Sequence, residues 1–195
     1  MTQQLILATS SPYKRRLFRR LGVDFDAVGP EIDELRRQGE APEELARRLA
    51  VEKARAVQRE YPDAWVIGSD QVAALGDVVF EKPGGIEGAV AQLKQLQSKT
   101  HRLISAVALA TPDGDVETAT AICEMVMRPL TDEQIRRYVR QDQPVDCAGA
   151  YKIEEAGVKL FEATRCDDPT AIEGLPLTKV WGLLLNVESV SLIDD

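Results

Sequence analysis

Apolar residues recur along the chain in two rhythms, and their order predicts a mixed α/β architecture. Leu5-Ile6-Leu7-Ala8 is an unbroken apolar run of strand length, and Thr9-Ser10-Ser11-Pro12 follows it with the chemistry of a helix start, Ser11 as cap and Pro12 as first helical residue. Tyr13, Leu17 and Leu21 then fall at i, i+4 and i+8 with Phe18 beside them, and Gly22 stands where a helix ends. Between Pro42 and Tyr61 a second helix carries Leu45, Leu49 and Ala56 on one stripe. Trp65 to Leu75 reads as an apolar strand interrupted by Ser69-Asp70-Gln71, and Gly76-Asp77 turns it into Val78-Val79-Phe80. A helix over about residues 86 to 97 precedes a strand from Leu103 to Thr111, and Pro112-Asp113-Gly114-Asp115 leads back through a strand ending near Met127. Thr131 and Gln134 form a capping-box pair ahead of Ile135, Tyr138 and Val139, and a last helix near Thr178 to Leu185 sets Val180, Trp181, Leu184 and Leu185 on one side. Strands and helices alternate with hairpins inserted, which predicts the α/β class with a mixed sheet.

At 195 residues and 44% hydrophobic positions the chain suits one core, read here as a single domain over residues 1–195. The longest apolar runs fall far short of the roughly 18 residues that suggest a membrane span. Met1 to Gln4 carries no basic leader segment, so the expected compartment is the cytoplasm. A net charge of −8 disfavours a broad nucleic-acid surface, and any anionic ligand must be met by a local basic site. Cys123, Cys147 and Cys166 are widely spaced and read as buried or incidental thiols rather than a disulfide framework. His101, the only histidine, assembles no nucleophilic triad and reads as a surface residue. No GxxxxGK[ST] or GxGxxG motif occurs, which argues against a P-loop NTPase or a dinucleotide oxidoreductase.

The chemistry concentrates in four places. Lys14, Arg15, Arg16, Arg19 and Arg20 crowd the first helix, although a helix N-terminus already carries partial positive charge. With the Thr9, Ser10 and Ser11 hydroxyls alongside, that junction reads as a phosphate cradle served by Lys14 and Arg15, while Arg16, Arg19 and Arg20 read as a solvated face. Glu31, Asp33 and Glu34 are either a solvated acidic turn or oxygen ligands for Mg²⁺ or Mn²⁺. Lys53, four residues after Leu49, is either a snorkelling lysine or an inward cation. Asp70 lies in an otherwise apolar strand, where an unpaired carboxylate is expensive. It needs a partner, either as a structural ion pair or as a metal ligand or base facing a phosphate, and the hairpin returns Lys82 towards it.

Leu5 to Pro12, Glu31-Ile32-Asp33-Glu34, Glu52-Lys53-Ala54, Gly68-Ser69-Asp70-Gln71-Val72, Lys82-Pro83, Cys147-Ala148-Gly149 and Gly174-Leu175-Pro176-Leu177 resemble, in order, the motifs of the Maf nucleotide pyrophosphatases. The resemblance implies an elongated mixed-sheet α/β fold like that of inosine triphosphate pyrophosphatases, with a cleft between two lobes. It also implies metal-dependent cleavage of a nucleoside triphosphate to monophosphate and pyrophosphate. By the same resemblance Asp70 is the base that activates water, and Thr9, Ser11, Lys14, Lys53 and Lys82 meet the phosphates. Asp70 and Glu34 would hold the divalent ion, Mg²⁺ or Mn²⁺. Thr9 stands where Ser is common and Lys14 where Arg is usual, and a lysine offers a point charge without the bidentate fork. Tyr13, Gln71 and Glu154 resemble the branch that acts on 7-methyl-GTP. The branch acting on dTTP and UTP, which has Arg after Ser-Pro and Thr after the Asp, is the alternative, and a cell-division interaction protein with little catalysis is an alternative of another class. The expected partner is a small nucleotide, with no nucleic acid and no membrane, and a homodimer is compatible with the resemblance.

Overall fold

The computed structural model describes residues 4–185, so residues 1–3, read above as lacking a basic leader segment, lie outside the described residues. Along the chain the elements are β1 (Leu5–Ala8), α1 (Pro12–Phe18), β2 (Asp26–Val28), α2 (Pro42–Gln58), β3 (Trp65–Leu75), β4 (Val78–Phe80), α3 (Ile86–Leu96), β5 (Thr100–Ala110), β6 (Val116–Met127), α4 (Asp132–Asp142), β7 (Phe161–Cys166) and α5 (Leu177–Leu184). The strands form one seven-stranded mixed sheet in the order β2-β1-β3-β5-β6-β7, with β4 paired to β3. β1 is parallel to β2 and β3, whereas the β3–β4, β3–β5, β5–β6 and β6–β7 pairs are antiparallel. This is the mixed-sheet α/β architecture expected. Among the described residues no helix is long and apolar enough to cross a membrane.

Local chemistry sets the helix ends. The Ser11 hydroxyl accepts from Lys14 N with Pro12 at the first turn, and a 3-10 turn at Arg19–Leu21 closes on Gly22 at φ +70°. Thr131 and Gln134 exchange the two capping-box hydrogen bonds at the start of α4.

Period-two alternation along β3 and β5 distributes the apolar surface into three cores. Val66, Val72, Ala74, Ile104, Ala106 and Ala108 face α2 and pack on Leu45, Leu49, Ala50 and Ala54. On the opposite face Ile67, Val107 and Leu109 meet Leu17 and Phe18 of α1 and Val180 and Leu184 of α5. Further along that same face Ala73 and Leu103 join a third cluster with α3, α4 and Tyr151. Between the second and third cores the outward positions are Ser69, Gln71 and Ser105, with Gln71 directly opposite Ser105 in the ladder. A polar belt thus divides two lobes on one face of strands that span roughly 35 Å at about 3.3 Å per residue.

Two expectations are corrected. His101 is buried, not on the surface: β5 begins at Thr100 rather than Leu103, so His101 alternates in step with Leu103 and points into the third core. There its Nε2 lies 2.8 Å from Tyr151 Oη, its ring packs near Phe161, and burial pushes its pKa down to about 4. Cys123 and Cys166 are opposed on β6 and β7 and joined as a disulfide, while Cys147 is a free thiol. Their 43-residue separation concealed the pairing because β7, a partly exposed edge strand with Glu162, Thr164 and Arg165, lacks a strong apolar run. β2, three residues long and largely exposed, was missed for the same reason.

Candidate active site

β3 has an open edge in its middle. β1 pairs with it only at Trp65 to Gly68 and β4 only at Ala73 to Leu75, so residues 69–72 are laddered on the β5 side alone. Lys14, one turn into α1, fills part of this gap by donating from Nζ to Ser69 O at 2.9 Å. The Ser69 hydroxyl is buried and has no hydrogen-bond partner. A buried polar group without a partner is costly, and here it lies beside the one acidic residue of the strand.

Gly68 brings the acid and its cation together. A Cβ at that position would lie 2.1 Å from Ala50 O and 2.6 Å from Ala54 N, so α2 approaches β3 closely only because the side chain is absent. Lys53, next to Ala54 on α2, consequently reaches Asp70 Oδ1 at 2.6 Å and Glu34 Oε1 at 2.7 Å. Lys53 is thus an inward cation, and Asp70, 8% exposed, has the charged partner that its burial demands. Burial pulls the Lys53 pKa down, but the charge and hydrogen bond of Asp70, joined by Glu34, outweigh it and leave it raised. Burial opposes ionisation of Glu34 as well, yet the hydrogen bond and charge of Lys53 hold its pKa below the usual value. Burial pushes Lys14 down to about 8, with Asp70 and Glu34 opposing the shift and Lys53 and Lys82 adding to it.

The remaining expected residues fall around this centre. β4 ends at Phe80, so Lys82 lies two residues past the ladder and is exposed, although its charge acts on both Lys14 and Glu34. Thr9 is buried, and its Oγ1 accepts from Ser11 N at 3.1 Å, which closes the turn between β1 and α1. Arg15 donates to Thr9 O at 3.4 Å and Ser10 O at 3.5 Å, against the backbone of the turn. Arg16 and Arg20, expected to be solvated, lie near Glu154 and Glu173 at 4.0 and 3.7 Å but remain more than half exposed.

Gln71 points to the other face of the sheet, in the polar belt. Its amide donates to Ala171 O at 2.7 Å, Ile172 O at 3.2 Å and Ser105 Oγ at 3.2 Å. A Cβ on Gly174 would lie within 3.7 Å of Gln71 Oε1 and 3.8 Å of Lys14 Cε, so these groups border one space. Tyr13, on the same helix as Lys14, lies under Lys152, and Glu154 lies near Arg16. The open edge therefore has a charged side facing α2 and a polar side, with Gln71 and Ser105, facing α1.

Asp168 escaped the sequence reading. It is fully buried and accepts from the backbone and hydroxyl of both Thr170 and Thr178 at 2.6 to 3.0 Å. It thereby fixes the 3-10 turn at Pro169–Glu173, whose carbonyls hold Gln71. Only the Asp-x-Thr spacing signalled it.

The acidic triad breaks up. Asp33 Oδ1 accepts from Leu35 N at 3.0 Å, Glu31 is exposed, and only Glu34 turns to the centre. Among the described residues no group of three or more His, Cys, Asp or Glu is arranged to hold a metal ion. Two carboxylates that share one ammonium still fit Mg²⁺ or Mn²⁺, because such ions take one or two carboxylates and complete their shell with substrate phosphates and water.

Comparison with known proteins supplies an independent line. Residues 4–187 match the family model described as Maf-like protein. The chain is 47% identical over 184 residues to the 7-methyl-GTP pyrophosphatase of Xanthomonas campestris pv. campestris (strain 8004), covering 94% of this chain and 96% of the relative. It is 48% identical over 181 residues to the 7-methyl-GTP pyrophosphatase of Xanthomonas axonopodis pv. citri (strain 306), covering 93% and 95%. Among solved structures it resembles a HAM1 protein from Coxiella burnetii with a TM-score of 0.52 at 14% identity, over 95% of this chain and all of that one, a likeness of fold alone.

Proposed function

Because this chain belongs to the Maf family, we propose that it is a nucleoside triphosphate pyrophosphatase that hydrolyses 7-methyl-GTP to 7-methyl-GMP and pyrophosphate. The observation that carries the reaction is Asp70, set in the open edge of β3 with Lys53 on it and Lys14 beside it. An interaction module has no need of a carboxylate in a buried strand ringed by lysines; a phosphate hydrolase does.

In the reaction the phosphates enter at the open edge and draw the ammonium groups of Lys14, Lys53 and Lys82 towards themselves. Asp70 accepts the proton of a water whose oxygen attacks the α-phosphorus, the bond from that phosphorus to the bridging oxygen breaks, and pyrophosphate leaves. The lysines balance the charge that builds on the phosphoryl oxygens. Asp70 and Glu34 would hold a Mg²⁺ or Mn²⁺, which when bound supplies Lewis-acid polarisation of the phosphates. Exhaustive treatment with EDTA should abolish pyrophosphate release and Mg²⁺ or Mn²⁺ should restore it; turnover that survives chelation leaves the phosphates to the lysines alone.

The base is read on the α1 side. Methylation at N7 gives guanine a delocalised positive charge, which suits the face of Tyr13 and a carboxylate, and the Glu154 carboxylate can accept from N1–H and the exocyclic amine. Pyrophosphate release measured across 7-methyl-GTP, GTP, dTTP and UTP should be fastest with 7-methyl-GTP. Glu154→Ala should reduce the preference over dTTP and UTP by about 1–3 kcal/mol, the scale of a lost charge-assisted hydrogen bond. Equal hydrolysis of dTTP and 7-methyl-GTP by the unmodified protein would overturn the base assignment in favour of the dTTP and UTP branch.

A further inference from the structure

The contacts between α1 and the segment after Cys147 point to a second reader of the base. Tyr13 and Arg16 are three residues apart and share one helix face. Lys152 Nζ lies 5.7 Å from the centroid of the Tyr13 ring, and Arg16 lies 4.0 Å from Glu154 Oε1. The Lys152 ammonium and the Glu154 carboxylate are thereby both set against side chains of α1. Lys152 is held in this place: its backbone N–H donates to Tyr138 Oη at 2.9 Å, its side chain is 15% exposed, and Asp146 stands 3.8 Å away. Burial works against its charge, but contact with Tyr13 and the charge of Asp146 keep its pKa above the usual value.

The Watson–Crick edge of guanine offers two donors, N1–H and the exocyclic amine, followed by one acceptor, O6. A carboxylate accepts and never donates, so Glu154 can satisfy only the two donors. O6 needs a donor next to it. The Gln71 amide is committed to Ala171 O, Ile172 O and Ser105 Oγ, and Arg16 is more than half exposed and already turned to Glu154. Lys152 has three N–H donors, sits two residues from Glu154, and already occupies the ring face on which the base would stack.

Resting on the reading of 7-methyl-GTP as substrate, we propose that Lys152 is a specificity-determining residue that moves from the Tyr13 face to the edge of the incoming base and donates to guanine O6. With Glu154 it then reads the whole edge, and the site separates 6-oxo purines from 6-amino purines. A 6-amino purine would set an amine against the ammonium, two donors with no acceptor between them, which is the kind of mismatch a polar site rejects strongly.

The test compares 7-methyl-GTP with the triphosphate of 7-methyl-2,6-diaminopurine riboside, which keeps the methyl group and the 2-amine but exchanges the 6-oxo group for an amine and N1–H for a bare N1; the N1 change faces Glu154 equally in every Lys152 variant, so the change in ratio between variants reports on Lys152. The unmodified protein should favour 7-methyl-GTP. Lys152→Met should cut the ratio of kcat/KM values about tenfold, chiefly through a higher KM for 7-methyl-GTP, whereas Lys152→Arg, which keeps a charged donor, should retain most of it. A ratio unchanged in Lys152→Met, or equal losses on both nucleotides, overturns the proposal; should that variant fail to fold, Lys152→Leu is judged by the same ratio. If the unmodified protein does not prefer 7-methyl-GTP over dTTP and UTP, the underlying substrate reading has failed instead, and that result is visible before any variant is made.

Discussion

Asp70→Asn should lower kcat for pyrophosphate release by at least about 10²-fold, the scale of a lost general base, while the melting temperature shifts by only a few degrees. The substitution keeps the volume and one acceptor oxygen but removes the charge. Lys53 retains Glu34 at 2.7 Å, so the buried ammonium is not left without a counter-ion. That residual pairing separates the two roles open to Asp70. If the carboxylate serves only to balance Lys53, the Asn variant should lose stability and keep its rate; if it is the base, the rate falls and the fold persists. Retention of kcat, measured together with thermal unfolding, would return Asp70 to a structural ion pair.

Gly68→Ala should be the most damaging substitution to the fold, costing about 3 kcal/mol, at the upper end of the range for overpacking. The added Cβ would meet a backbone carbonyl and a backbone nitrogen of α2, neither of which can swing aside as a side-chain tip can. α2 must withdraw as a body, which also parts Lys53 from Asp70, so activity and stability should fall together. Gly182→Ala is the internal control: it lies within α5, a Cβ there meets nothing within 4 Å, and alanine should stabilise that helix. Chemical denaturation of both variants measures the difference, and a Gly68→Ala protein as stable as its parent would mean that the helix is not pinned by this contact.

Elements with their own local signals were legible in the sequence. α1 announced itself through Ser11-Pro12 and Gly22, α4 through Thr131 and Gln134, and the β3–β4 hairpin through Gly76-Asp77, because caps and tight turns are decided within a few residues. β2 and β7 were not legible, since short exposed edge strands take their identity from the neighbour they pair with. Asp70 stood out because a carboxylate in an apolar strand violates a rule, and the structure supplies the partner that the violation demands. Lys53 stayed ambiguous because a lysine at the edge of a stripe can turn either way; what turns it inward is Gly68, fifteen residues on and on another element. His101 was misread for the opposite reason, since its polarity suggested water while its register placed it against Leu103 and Tyr151. Glu31 and Asp33 share the acidic turn with Glu34 and not its environment, a distinction that adjacency in sequence cannot make.

The two carboxylates that face Lys53 differ in how they are mounted. Asp70 belongs to a strand laddered to β5 and clamped by the α2 backbone, so it and Lys53 behave as one rigid jaw. Glu34 rides on the long connection between β2 and α2, half exposed, and that connection is tethered beside it, where Arg48 reaches Leu35 O at 3.0 Å and grips Glu40 at 2.6 Å and Arg36 reaches Asp77 O at 3.0 Å. Room to adjust between the two acids therefore lies in the side chain of Glu34, the more exposed of the pair, and not in the strand that carries Asp70.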